Sequence, residues 1–391
     1  MKKIRLGDIA TLITKGTTPT TIGFSFVDTG VNFVKIESIS ENGEFLSDKF
    51  AHITDECDNK LKRSQLEEND ILFSIAGAIG RTAIVPRSIL PANTNQALAI
   101  IRIPQNAINL RFVLYALQSQ AVEEQSEKQK QGVAQLNLSL KNIADILIPL
   151  VSSEKQDEIV RNLAAVDTAI AIRKEQIRLI DQVVKSRFIE MFGTLSCNEH
   201  HYPMCALKYA CRKITDGKHG GCEQEYNSGY YYVGAREIYD GEIHYGTAPQ
   251  IVRGDFEKDY RRCNIEQGDF VLVNTGATIG KSAIAKHPLT ERTLLQKSVA
   301  MFKVKTELIS AVFLKCCYDA NPEMYTVKSA SAQPNLLLSR INSTQIYLPP
   351  IELQRQFAAF VEQVDKSKLA VQKGLQELEI LKKSLMQQYF G

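Results

Sequence analysis

No stretch of this 391-residue chain approaches the roughly 18 consecutive apolar residues of a membrane-spanning helix, so no such span is expected. No two cysteines have the Cys-x-x-Cys spacing of common zinc and redox sites. The eight cysteines (Cys57, Cys197, Cys205, Cys211, Cys222, Cys263, Cys316 and Cys317) read as reduced thiols, and the last two are adjacent, a spacing that rarely makes a structural disulfide. Cys197, His200, His201 and Cys205 are close enough to suggest a metal site, but their spacing matches no common zinc pattern and the first half of the chain has no counterpart. An excess of charge of one sign is lacking as well. Forty-seven Lys and Arg against 44 Asp and Glu leave a net charge of +3, so a polyanionic partner would have to be met by locally placed charge. The opening MKKIRLGDIATLI has neither a sustained apolar core nor a small-residue cleavage site, and reads as the start of a mature cytoplasmic protein.

Catalytic signatures are missing too. An adenine methyltransferase needs an Asn/Asp-Pro-Pro-Tyr/Phe motif to hold a flipped base and a glycine-rich loop for its methyl donor; Asn321-Pro322-Glu323-Met324 is only a superficial match. Gly276-Ala-Thr-Ile-Gly280-Lys281-Ser282 invites a phosphate-loop reading, but a nucleotide-binding loop needs four residues between its glycines, and this one has three. The corresponding Gly77-Ala-Ile-Gly80-Arg81-Thr82 is shorter still. Acidic Asp55, Glu56 and Asp58 do not recur in a comparable setting and read as a solvated face. The chain is therefore expected not to be an enzyme.

What is present is a repeat. With a displacement of about 200 residues, LITKG (12–16) returns as KITDG (213–217), GVNFVKIESI (30–39) as GYYYVGAREI (229–238), and NGE (42–44) as DGE (240–242). Asp70 with ILFSIAGAIGRTAI returns as Asp269 with FVLVNTGATIGKSAI, and Gln96 falls opposite Gln296. AQLNL (134–138) matches AQPNL (332–336), IPLVSSEKQ (148–156) matches LPPIELQ (348–354), and KSRFIEMFG (185–193) matches KSLMQQYFG (383–391). The chain is a duplication with its seam near Gly193. Its apolar content of 44% and charged content of 23% suit globular domains, and its length suits several.

Within each copy, short β-rich runs punctuated by Gly, Pro, Asn and Asp give way, after the proline-marked ILIPL or IYLPP, to a helix. Leu163, Val166, Ile170, Arg173, Ile177, Ile180, Val184, Arg187 and Met191 follow the alternating three and four spacing of a coiled-coil seam. Phe357, Val361, Val364, Lys368, Val371, Leu375, Leu378, Lys382, Leu385 and Tyr389 do the same in the second copy. Where one seam carries a basic residue the other is mostly apolar, which suggests that the helices pack on each other; two amphipathic helices lying on their own domains is the other reading. The expected architecture is α+β: an α/β reader over 1–150, a helical spacer over 151–193, a second reader over 194–350 and a second spacer over 351–391. Antiparallel pairing of the helices as a coiled coil would relate the readers by a pseudo-twofold axis. A helix of about 36 residues spans roughly 54 Å, or about one and a half turns of B-DNA, so readers on such a spacer would touch two separate short half-sites.

Basic and acidic side chains balance in every section, seven against seven over 154–192 and 16 against 16 over 1–153, so DNA affinity would come from placed loops. Candidate loops are Thr14–Pro19, with Lys15, Thr17 and Thr18, and Thr215–Gly220, with Lys218 and His219. Asn95, Gln96, Gln296 and Lys297 add amides and an amine of the kind that read base edges, and Lys35 and Arg236 occupy matched strands. The glycine turns, with Gly77, Arg81, Thr275 and Lys281, either bring amides and one basic side chain to a phosphate or are plain hairpin turns.

Taken together, IRLGDIATLITKG, SIAGAIGRTAIV, NTGATIGKSAIA, AQPNL, SSEKQDEIV and IELQRQFAAFV resemble the specificity subunit of type I restriction-modification systems, over essentially the whole chain. AQLNL in the first copy departs from the family-like AQPNL of the second. The resemblance implies a non-catalytic subunit that reads bipartite double-stranded DNA. It implies two modification (methyltransferase) subunits on the helical regions, and two restriction/translocase subunits where the system restricts. S-adenosylmethionine, ATP and Mg are then expected on those partners, with no cofactor in this chain and no membrane. The competing reading is a coiled-coil scaffold whose globular domains bind protein or RNA.

Overall fold

The run ILFS at Ile71–Ser74 is buried at every position because it lies inside a sheet with both faces covered. A computed structural model describes residues 2–104, 106–129, 137–326 and 334–391, and this strand is central to its first compact unit, residues 1–173 with 374–391. The sheet is antiparallel, in the order Leu12–Lys15, Leu98–Arg102, Ile71–Ser74, Thr82–Ile84. Successive side chains point to opposite faces. Ile71 and Phe73 therefore join Phe112 and Val113 in one core, and Leu72 joins Val34, Ile39 and Ala83 in another.

The second unit, residues 174–373, repeats the plan with Cys211–Asp216, Val299–Val304, Phe270–Val273 and Ser282–Ile284. Phe270, Leu272 and Phe302 face one core, and Val271, Val273 and Met301 the other. Beside each main sheet runs a short parallel pair, Val31–Val34 with Ala92–Thr94 and Tyr231–Val233 with Thr293–Leu295. Each fold is closed by its first strand pairing with a late one, Lys3–Arg5 with Leu147–Pro149 and Met204–Ala206 with Gln345–Tyr347.

The matched aspartates have one structural purpose. Asp70 is fully buried, accepts the Glu67 amide at 2.7 Å and receives Arg102 Nε and Nη2 at 2.7 and 2.8 Å. Asp269 accepts the Glu266 amide at 2.8 Å and Lys303 Nζ at 2.8 Å. Each carboxylate thus closes the turn leading into a central strand and ties it to its neighbour.

Two 40-residue helices, Ser153–Phe192 and Ile351–Phe390, are each divided between the units. Each is fastened at its start by a buried glutamine. Gln156 accepts the Asn109 amide at 2.9 Å and donates to the Val151 carbonyl at 3.0 Å. Gln354 accepts the Ser310 amide at 2.9 Å and donates to the Pro349 and Leu308 carbonyls. The helix ends are exchanged: Phe390 packs 5.3 Å from Phe112 in the first unit, while Phe192 packs 4.9 Å from Phe313 in the second.

Inside the first unit the two helix segments run antiparallel, with Asn162 donating to Tyr389 Oη at 2.9 Å and Lys382 meeting Asp167 at 2.6 Å. Inside the second, Lys368 meets Asp181 at 2.5 Å and Phe188 lies 5.5 Å from Phe357, again antiparallel. Leu163, Val166, Ile170, Ile177, Ile180, Val184, Val361, Val364, Val371, Leu375, Leu378 and Leu385 lie on the covered stripe, and Leu163 is fully buried. Arg187 departs from the seam: it is exposed and pairs with Glu190 of its own helix. No helix among the described residues is long and apolar enough to cross a membrane.

The Phe390→Ala variant, which empties a site only 2% exposed in the first core, is expected to lose about 3 kcal/mol or more of stability. Urea unfolding followed by a probe in the first unit should show the loss.

Candidate nucleic-acid interface

Close backbone approach builds the loops of each unit. Gly16 follows the edge strand Leu12–Lys15 and donates its amide to the Asn95 carbonyl at 3.1 Å; a Cβ there would lie 1.8 Å from the Thr94 carbonyl oxygen. Gly217 is equivalent, with a Cβ position 2.1 Å from the Leu295 carbonyl oxygen. Glycine recurs here for want of room rather than for backbone flexibility.

That approach joins candidates far apart in sequence. In the first unit the Thr18 hydroxyl donates to Gln96 Oε1, Asn95 caps the Ala97 amide at 3.1 Å, and the Thr94 hydroxyl donates to the Val34 carbonyl at 2.8 Å, just before Lys35. Thr17 and Thr18 are half-buried, while Lys15 and Gln96 are exposed. In the second unit the Lys218 amide donates to the Leu295 carbonyl, the Lys297 amide to the Lys218 carbonyl, and the Gln296 amide to the Val233 carbonyl. Lys15, Thr17, Thr18, Lys35, Asn95 and Gln96 are thus placed together, as are Lys218, His219, Gln296 and Lys297 beside the strand that leads to Arg236.

Several candidates are already occupied. Lys218 is held by Asp259 at 2.7 Å, a hydrogen bond that raises its pKa above the usual lysine range and keeps it charged. His219 Nε2 lies 3.1 Å from Asp216, and Lys35 Nζ is 4.4 Å above the Phe26 ring. Arg236, Lys281 and Lys297 are exposed and make no side-chain hydrogen bond or ion pair among the described residues.

The glycine turns connect antiparallel strands as hairpin turns, and part of their backbone is used within the fold. The Gly80 amide donates to the Ser74 carbonyl and the Gly280 amide to the Val273 carbonyl, both at 3.0 Å, so neither is left for a phosphate. Arg81 also turns inward. Its Nη1 donates to the Ile36 and Ile39 carbonyls at 3.1 and 2.8 Å, tying the turn at Gly77 to the segment after Lys35. In the second unit, Thr275 bonds Asn335 at 3.0 Å and the Gly276 amide donates to Pro334, so the Pro-Asn-Leu part of AQPNL braces the turn. Ala134, Gln135, Leu136, Ala332 and Gln333 of the two motifs lie outside the described residues.

The sequence reading passed over one repeated feature. Lys62-Arg63 and Arg261-Arg262 occupy matched positions, and all four side chains are exposed. The signal was available in KRSQLEEND against RRCNIEQGD, whose shared Glu and Asp are the turn residues described above.

Chemistry of other kinds is not assembled. All eight cysteines are unpaired, and burial pushes the thiols of Cys263 up to about 11 and of Cys211 and Cys316 up to about 12, far from nucleophilic thiolates. Cys197, His200, His201 and Cys205 form no metal-holding group among the described residues.

A glycine-joined loop cluster thus recurs in each of the two units between which the two long helices are divided. The chain belongs to the family described as the type I restriction modification DNA specificity domain, whose model matches residues 1–182 and 213–380. The EcoBI specificity subunit of Escherichia coli is 35% identical over 136 residues, covering 34% of this chain and 28% of that protein. The MjaVIII specificity subunit of Methanocaldococcus jannaschii is 22% identical over 403 residues, covering 98% and 90%. The crystal structure of the S subunit from M. genitalium shares the fold, with a TM-score of 0.55 and 15% identity over 100% of this chain and 96% of that one. A chain from a structure of a type I R-M system gives a TM-score of 0.54 at 17% identity, over 100% and 97%. The chain is accordingly a DNA-recognition subunit and not an enzyme, and the scaffold reading gains no support.

Gly16→Ala is expected to cost about 1–3 kcal/mol by overpacking the loop joint and to spoil recognition by the first unit alone. Thermal unfolding and the pattern of modified sites on DNA would show this. An unchanged pattern would mean that the loop joint has no part in recognition.

Proposed function

We propose that the chain reads a bipartite target in double-stranded DNA, one half-site per unit, and positions methyltransferase subunits over it. The observation that carries this reading is the glycine-joined loop cluster built twice on one frame, each with its matched Gln96 or Gln296, but otherwise with different side chains: Thr17, Thr18 and Ala97 in one unit, Lys218, His219 and Lys297 in the other. A shared frame gives equivalent approaches to DNA, and different side chains give different sequence preferences. Residues 1–150 and 194–350 act as the readers, with 151–193 and 351–391 as spacers.

Exposed apolar side chains on the helices, Leu179 and Val183 in one unit and Ile380 and Leu381 in the other, offer surface to protein partners. Two methyltransferase subunits dock there, and two restriction/translocase subunits join where cleavage accompanies modification. S-adenosylmethionine, ATP and Mg belong to those partners, and the complex works on DNA in the cytoplasm.

Two experiments test the proposal. Exchanging residues 1–150 for those of another family member should change one half-site of the methylated sequence and leave the other. A change in both half-sites would refute the assignment of one half-site to each unit. Leu179→Asp combined with Val183→Asp should weaken assembly with the methyltransferase subunit at least tenfold, measured by titration calorimetry, while leaving the melting temperature of the isolated chain within a few degrees.

A further inference from the structure

The chain carries almost no net charge, so its grip on a polyanion must come from basic side chains left free by local pairing. Lys62 and Arg63 are the clearest case. They sit in the turn Lys62–Ser64, which packs against the strand Leu12–Lys15, and Gln65 bridges to Asn93, two residues before Asn95. Leu61, Ser64 and Leu66 are 6%, 2% and 6% exposed, so the buried neighbours hold the two basic side chains outward. Three nearby carboxylates are committed elsewhere: Asp58 to Gln65 and Asn93, Glu67 and Asp70 to Arg102. Neither Lys62 nor Arg63 makes a side-chain hydrogen bond or ion pair among the described residues.

The second unit repeats the device in a changed sequence. Arg261 and Arg262 end the helix Arg253–Cys263, which packs against Cys211–Asp216, and Cys263 and Ile265 are buried behind them. Arg262 Nε donates to the Asp216 carbonyl at 3.0 Å and its Nη2 to the Asp216 carboxylate, which seats it directly before Gly217 and Lys218. Arg261 is exposed and has no side-chain partner among the described residues. Here too the carboxylates are occupied, Asp259 by Lys218, Glu257 by Arg253 and Asp255 by the Glu223 amide. The flanking residues differ between copies, and Arg262 is paired where Arg63 is not, yet an exposed basic residue without a partner is kept beside the edge-strand loop.

We propose that Lys62-Arg63 and the corresponding Arg261, beside an Arg262 anchored on Asp216, are matched phosphate clamps, each seating the DNA backbone next to the loop cluster of its own unit. They supply affinity without sequence preference, because phosphates are the same at every base pair. This rests on the reading of the chain as a DNA-recognition subunit.

The test uses the full chain with its methyltransferase subunit and a fluorescent random-sequence duplex of about 40 base pairs, titrated across a range of salt concentrations. Lys62→Gln with Arg63→Gln should reduce the slope of log affinity against log salt by about 2, since each lost phosphate contact removes about 0.9. It should also weaken target and random duplexes by the same factor, leave the methylated sequence unaltered, and leave the melting curve unchanged. The control, Lys2→Gln with Lys3→Gln, removes the same charge from the opening of the chain and should leave the slope as it was. The proposal is overturned if the clamp variant keeps the wild-type slope, if the control lowers it equally, or if only target binding weakens. Wild-type complex that binds duplex but keeps its slope on mutation refutes the clamp alone, whereas wild-type complex that binds no duplex refutes the DNA reading beneath it.

Discussion

The structure depends on where two phenylalanines are buried. Phe192 ends the helix that grows out of the first copy, yet its ring lies among Phe188, Phe313 and Phe357 in the second unit; Phe390 ends the helix of the second copy and lies against Phe112 in the first. Burying a phenylalanine is worth roughly 1.5–3 kcal/mol, whereas partly exposed ion pairs such as Lys382 with Asp167 or Lys368 with Asp181 contribute about 0–1 kcal/mol. The aromatic anchors therefore decide which core receives each helix end. The ion pairs refine the register, two lysines of one helix meeting two aspartates of the other. Once the ends are exchanged, each core contains pieces of both copies, and neither copy can complete its core alone.

Inside each unit, a fixed core and variable loops are separated along the main sheet. The central strand has a core on either side, and a buried carboxylate pins it to its neighbour through Arg102 or Lys303. Burying such a charge is tolerable only because its oxygens are met by a cation and a backbone amide. The loops beyond the edge strand are joined by a contact that admits only glycine, so they are held firmly while their side chains remain free to differ between copies. The loop side chains thereby vary without touching the packing beneath them.

Much of this was legible in the sequence, for identifiable reasons. The duplication shows because matched residues return in one order, and they return because each carries a packing or turn requirement: Asp70 and Asp269 close turns, Gly16 and Gly217 permit close approach, Gln156 and Gln354 fasten helices. The long helices show because a seam repeats at the spacing that covers one stripe. Three things did not show. Arg81 looked like a phosphate ligand because its acceptors, the Ile36 and Ile39 carbonyls, lie more than forty residues away, and Lys218 looked free because Asp259 is as distant. The exchange of helix ends was hidden because both copies end in the same Phe-Gly, which says that a core takes the ring but not which core. The paired basic residues were overlooked because they stand between blocks whose intervening sequence has diverged.

The near-neutral charge changes meaning once the pairings are known. A chain whose lysines and arginines were all solvated would have to reach DNA through excess charge, and this one has an excess of only +3. Instead, carboxylates around the loop clusters are drawn into hydrogen bonds that shape the loops, as Asp216 is by His219 and Arg262, and Asp259 by Lys218. Each acid used in this way both positions a basic residue and leaves a neighbouring cation, Arg261 or Lys297, without a competitor. Local field is then set by which charges are paired rather than by how many there are. On the proposed reading, such an arrangement favours weak attraction to arbitrary DNA and firm seating where the loops also fit, a division that suits a subunit whose task is to discriminate.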